Sequence, residues 1–320
     1  IKTHADFIRI EGSNFPHVEI EGFPTHIYIA DSLWQISPFT VSVDSTLIKM
    51  NNFNFFNENQ FITIDGTLSE QPSEELTVNF ENIDLSHLST YLNRKLPLEG
   101  TLNGTASIRD FYGKRLLFSD LTIDGFNFKD QKIGTVKMAN NWDNFESVLN
   151  SELTIINNGR ESLNASGHYN PETNEMDYDA TVENLSVVIL ESVIRKTFSN
   201  FHGDASGKVK IHGSPQKILL NGALHASNAG LTIDYTQVSY VFSDSVYFRG
   251  DTIHFDEIAI RDISGNKGTF DGTIVHTNFQ NMIYDLNLRS PKIVAINTTP
   301  NDNEQFFGKV VANGRLSITG

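Results

Sequence analysis

The sequence has no cysteine among its 320 residues. Disulfides, cysteine-ligated zinc and thiol nucleophiles are excluded together. The absence fits a compartment where free thiols would be exposed to oxidation. Lysine and arginine never form a long run, and the formal net charge is −15. An acidic chain without a basic patch repels phosphate, so no nucleic-acid partner is expected. The charge itself reads as solubility. No apolar run approaches the roughly 18 residues needed to span a bilayer. There is no initiator Met and no signal peptide at Ile1, and Ile318-Thr319-Gly320 reads as a strand. The expectation is a fragment of something longer.

Chemistry is also sparse. The ten histidines are scattered, none two to four residues from another, and His-Glu-x-x-His is missing. No metal or cofactor is expected. Asp262, Asn266 and Asp271 lie near glycines, but their spacing fits neither an EF-hand nor a calcium-binding nonapeptide repeat, and they read as a structural turn. Gly203-Asp204-Ala205-Ser206-Gly207 lacks the glycine two before the serine that a nucleophile elbow needs. A glycosidase-like carboxylate pair stays open, with nothing to single one out. The sequons at Asn103, Asn164, Asn184 and Asn297 read as chance. The chain is read as non-enzymatic.

What is present is strand-forming. Aromatics make up 11% of the chain, with 23 Phe, so a disordered polymer is excluded. Gly, Asn and Asp are spread evenly between Phe-, Ile-, Val- and Thr-rich stretches. Leu231-Thr232-Ile233-Asp234-Tyr235 and Val238-Ser239-Tyr240-Val241-Phe242 alternate apolar and polar, as do Ile253-His254-Phe255 and Ile258-Ala259-Ile260. Such alternation puts apolar side chains on one sheet face, leaving Thr232, Asp234, Ser239 and His254 for solvent.

A template recurs. It reads Ile64-Asp65-Gly66-Thr67-Leu68, then Ala165-Ser166-Gly167-His168-Tyr169, then Phe270-Asp271-Gly272-Thr273-Ile274. The three central glycines lie 101 and 105 residues apart. Each is followed by a second strand, such as Leu76–Leu85, Tyr178–Val187 and Tyr284–Leu288, and then by further glycines. This predicts an all-β, elongated, curved antiparallel sheet of about three repeats of roughly 100 residues. The divisions are a partial leading unit (1–60), a first repeat (61–165), a second (166–270) and a partial third (271–320). Short helices are predicted at Leu85–Leu92 and Val187–Ile194, with a loop at Pro300–Asn303 in the third unit.

The third unit carries the most specific pattern: Asp262-Ile263-Ser264-Gly265-Asn266-Lys267-Gly268-Thr269-Phe270-Asp271-Gly272-Thr273-Ile274, then His276 and Phe279, then Phe306-Phe307-Gly308 and Gly314. It resembles the TamB family of the AsmA-like superfamily, clearly over residues 200–320 and more weakly over 60–200. The resemblance implies a β-taco, a U-shaped sheet with an apolar lumen. It further implies a periplasmic location in a diderm bacterium, an inner-membrane anchor helix outside this sequence and an outer-membrane barrel partner of the TamA type. The implied activity is phospholipid transport between the membranes, in support of outer-membrane biogenesis. The groove candidates are Leu231, Ile233, Tyr235, Val238, Tyr240, Phe242, Val246, Phe248, Ile253, Phe255, Ile258 and Ile260. Read alone they suit a sandwich core; the repeat and the resemblance favour a groove for phospholipid acyl chains. Two alternatives remain: a scaffold that adds a strand to nascent outer-membrane proteins, and a hydrolase or carbohydrate-binding β-solenoid.

Overall fold

A computed structural model of the chain describes residues 2–9, 15–29, 32–87, 98–113, 116–128, 131–192, 198–302 and 307–320. The chain forms two compact units, 1–158 and 159–320. Every described strand ladder is antiparallel, and the described residues include no α-helix. The two predicted helices are corrected to 3₁₀ turns, Leu85–His87 and Val187–Ser192. Their remaining residues, 88–92 and 193–194, lie outside the described ones. The run of β-branched residues at Val187-Val188-Ile189 opposes a longer α-helix.

The first unit contains β1 (Thr3–Ile8), β2 (His17–Gly22), β3 (Thr25–Ile29), β4 (Ser32–Ile36), β5 (Phe39–Val43), β6 (Ile48–Asn57), β7 (Gln60–Leu68), β8 (Glu75–Asp84), β9 (Leu98–Arg109), β10 (Leu116–Phe128), β11 (Gln131–Asp143) and β12 (Val148–Asn157). From β5 to β12 each strand pairs with the next in the chain. β2 joins this run through β5, and the β3–β4 hairpin through β6. Trp34, 1% exposed, stacks on Phe55 at 4.6 Å and anchors that end.

The second unit contains β13 (Arg160–Asn170), β14 (Glu175–Ser186), β15 (Phe198–Ser214), β16 (Lys217–Ile233), β17 (Val238–Phe242), β18 (Ser245–Gly250), β19 (Thr252–Asp262), β20 (Lys267–Thr277), β21 (Gln280–Thr298) and β22 (Gly308–Thr319). β17 and β18 share one position between β16 and β19. Elsewhere neighbours in sequence are neighbours in the sheet.

Bulges keep the apolar side chains on one face. β8 shifts register between Phe80 and Ile83, and β14 between Val182 and Leu185. One left-handed residue serves each, Asn82 (φ 54°) and Asn184 (φ 48°). Their N–H groups donate to Asn103 Oδ1 and Ser206 Oγ on the next strand, both at 2.8 Å. Asparagine tolerates this backbone region, and one extra residue returns a spacing of three to the same face. β19 does likewise between Phe255 and Ile258, around Glu257 (φ 46°).

Candidate functional site

The strand registers turn sequence alternation into continuous apolar ranks. In the first unit Ile83, Leu102, Ile123, Val136 and Ile155 stand opposite one another across five strands, β8 to β12. In the second unit Ala165, Ala180, Val209, Gly222, Phe248, Ile253, Ile274 and Tyr284 cross eight strands. A neighbouring rank runs Leu163, Val182, Gly207, Leu224, Val246, Phe255, Gly272, Leu286 and Ile318. The alternate rank is polar at most positions: Thr181, Lys208, Ala223, Tyr247, His254, Thr273 and Asp285. Directly opposed residues share a face, so one side of the sheet is lined by apolar ranks over the strands these registers cross.

Glycine within a rank sits where strands crowd. At Gly272 (φ 141°) a Cβ would lie 2.1 Å from the Asp285 carbonyl oxygen. Only glycine adopts that backbone and allows that approach.

The twelve candidate residues divide by burial. Val238, Tyr240, Ile258 and Ile260 pack with Leu288, Ile293 and Val294 of β21 in one core. Ile253 joins Ile274 and Leu286 in a second. Ile233, Phe242, Val246, Phe248 and Phe255 are only partly buried and rest against these cores. Phe255 meets Phe270 edge-on at 5.1 Å. Leu231 is half-buried, opposite Tyr240. Tyr235 departs from the expectation: it lies in the turn between β16 and β17 and is 69% exposed.

Thr232 also departs from it. It is buried at 4% exposure rather than solvated. Its hydroxyl shares a 2.7 Å hydrogen bond with Ser239 and accepts one from Asn200 at 3.2 Å. Ser199 hydrogen-bonds Asp234 beside them. A satisfied polar cluster therefore covers this stretch of the polar face.

The second unit's sheet folds over on itself. β17 and β21 are separated in the ladder by β19 and β20, yet their side chains share one core. The Phe198 and Tyr284 rings, from β15 and β21, meet at 6.3 Å. Three hydrogen bonds fasten β21 to this end of the unit. Asn297 N–H donates to the Thr236 carbonyl at 2.9 Å, and Tyr240 Oη to the Val294 carbonyl at 2.9 Å. Val294 N–H donates to Asp262 Oδ2 at 2.7 Å.

Asp262 is the hub of this seam. Its Oδ1 accepts the Ser264 and Asn266 N–H groups at 2.8 and 2.9 Å, and Oδ2 also accepts Asn266 Nδ2 at 2.8 Å. Burial pushes its pKa up, but the bonds from Asn266, Val294 and Ser264 outweigh that and hold it below the ordinary carboxylate range. Burial, with the Asp262 charge adding, pushes the Tyr240 phenol up to about 12.

Asp262 and Asn266 form a turn, as their spacing predicts; Asp271 lies apart, 3.6 Å from Arg289. The link from Asp262 to Val294 was missed. The available signal was an aspartate ending an apolar strand before Gly-Asn, which marks a capped turn but not its distant partner. His276, 2% exposed, accepts the Phe279 N–H at Nδ1 and stacks on that ring at 4.3 Å. Burial lowers its pKa, against the opposing charge of Asp251. Among the described residues no three His, Asp or Glu side chains converge as metal ligands would. Compared with known proteins, the chain matches no family model, no curated protein and no solved structure.

Proposed function

We propose that this chain is an internal segment of a TamB-like envelope protein whose apolar sheet face carries phospholipid acyl chains. The observation that carries the reading is the unbroken apolar rank across eight or nine strands, backed by a largely polar rank on the other face. A globular core needs an apolar patch, whereas a sliding chain needs an apolar track. Each methylene laid on such a track contributes roughly 0.8 kcal/mol, with no deep pocket to trap the lipid. Half-buried Phe242, Phe248 and Phe255 keep part of the track within reach.

The same proposal includes the repeat. β7, β8, the Leu85–His87 turn and β9 follow the order of β13, β14, the Val187–Ser192 turn and β15. β20, β21 and β22 follow it with no helical turn among the described residues. The Asn82 and Asn184 bulges occupy matching places in β8 and β14. On this reading the protein is non-enzymatic and periplasmic, anchored in the inner membrane by a helix elsewhere in the full protein. It works with an outer-membrane barrel of the TamA type. Mass spectrometry of organic extracts of the purified chain tests it. Phospholipid is the expected finding; a copurified glycan or polypeptide with no phospholipid overturns it.

A further inference from the structure

We infer that the seam between β17 and β21 is a gate, which opens locally to let an alkyl chain replace β21 on the apolar face. What passes rests on the lipid-carrying reading above; the opening itself does not. In the structure the interior is filled at this level. Val238 and Val294 are 0% exposed and Ile258 is 1%. An acyl chain therefore cannot lie beside Val238, Tyr240, Ile258 and Ile260 while Leu288, Ile293 and Val294 occupy that place.

The two sides of this filled level are held very differently from neighbours in the sheet. β20 and β21 share a ladder running from Thr269–Arg289 to Val275–Ile283. β17 and β21 share side-chain packing, with the Thr236–Asn297 backbone bond beside it and the two bonds that hold Val294. Such a contact is the natural place for a sub-global opening, because few backbone hydrogen bonds must break together. The register of β21 also weakens here: it shifts between Ser290 and Ile293, across Pro291, and again between Val294 and Ile296. Pro291 has no N–H to give a ladder.

The chemistry selects the occupant. Lifting Ile293 and Val294 away, with Leu288 kept in the β20–β21 ladder, bares an apolar face, and an alkyl chain restores apolar contact there. Water or a sugar would not. The polar members of the seam do not need the guest: Asp262 keeps its bonds to Ser264 and Asn266 when Val294 leaves. The opened state thus strands few buried polar groups.

Two measurements test the gate. Hydrogen exchange on the unmodified chain reads the opening. The Val294 and Asn297 amides, which bond across the seam, should exchange at least about tenfold faster than those of segment 284–290, through an opening that leaves the β20–β21 ladder intact. Equal exchange of these two amides and that segment would mean that the seam opens only when the unit unfolds, and overturns the gate. The second uses Thr236→Cys with Asn297→Cys, the sole thiols in this cysteine-free chain. Bridging them with dibromobimane should slow uptake of cis-parinaric acid from phosphatidylcholine vesicles by about tenfold or more, as a locked lid does. Equal uptake by bridged and unbridged protein overturns the gate and leaves lipid carriage standing. If neither the wild type nor the unbridged variant takes up the probe, lipid carriage fails, and hydrogen exchange still decides the opening.

Discussion

Asp262 receives the backbone N–H of Val294 at 2.7 Å, across 32 residues of chain. The bond ties the end of β19 to the fully buried Val294 of β21, and it sits beside the core that contains Val238, Tyr240 and Ile258.

Removing the Asp262 carboxylate should therefore act well beyond its own turn. Asp262→Ala strands the N–H groups of Val294, Ser264 and Asn266, and should destabilise the second unit by about 2–4 kcal/mol. Urea unfolding followed by tryptophan-independent circular dichroism measures this. A change below about 0.5 kcal/mol would remove Asp262 from the seam's energetics.

The same group sets a pH dependence. Its folded pKa lies below the ordinary carboxylate value, so the unfolded chain binds the proton more readily. The stabilisation is complete above the unfolded pKa of about 3.9 and is lost as pH falls through the lower folded value. Wild type should lose stability over that acid window. Asp262→Asn should be less stable at neutral pH and should lack that part of the slope. Parallel pH profiles for the two proteins would contradict the assignment.

Burial predicts which apolar positions tolerate a charge. Ile258→Asp and Val238→Asp place an unpaired carboxylate in the filled core and should abolish folding of the second unit. Phe248→Asp and Phe255→Asp replace half-buried rings. They should leave a cooperative thermal transition while copurified phospholipid falls. Unchanged lipid in the folded variants would take this surface out of the transport path.

Gly272→Val should be severe for a backbone reason. The φ of 141° and the 2.1 Å approach to the Asp285 oxygen leave no room for Cβ. A loss of several kcal/mol, at the upper end of single-substitution effects, is expected in chemical unfolding. Full stability in this variant would show that β20 and β21 can separate there at little cost.

The bulge in β14 makes a milder prediction. Ser206→Ala removes the acceptor of the Asn184 N–H and should cost about 1 kcal/mol. Asn184→Val adds a β-branched side chain at φ 48° and should cost more. Equal stability of both variants with wild type would argue that the bulge needs neither device.

Much of this molecule is written locally. Alternation at 231–233, 238–242, 253–255 and 258–260 predicted strands and the shared face of their apolar residues, because a pleated strand allows only two faces. The spacing of three between Phe255 and Ile258 marks a bulge, and Asp262 with Gly265 and Asn266 marks a turn. Period two cannot say what lies on top of a face, and that was decided by tertiary structure. Fold-over of β21 buried Val238 and Ile258 completely but left Phe248 half-covered. Thr232, alternate in pattern with Ile233, was buried by hydroxyl and amide partners from β15 and β17. Tyr235 fell within the tight turn that follows β16, and so into solvent. Each outcome depends on contacts made after the strands have formed, between side chains that alternation places on a face but does not pair.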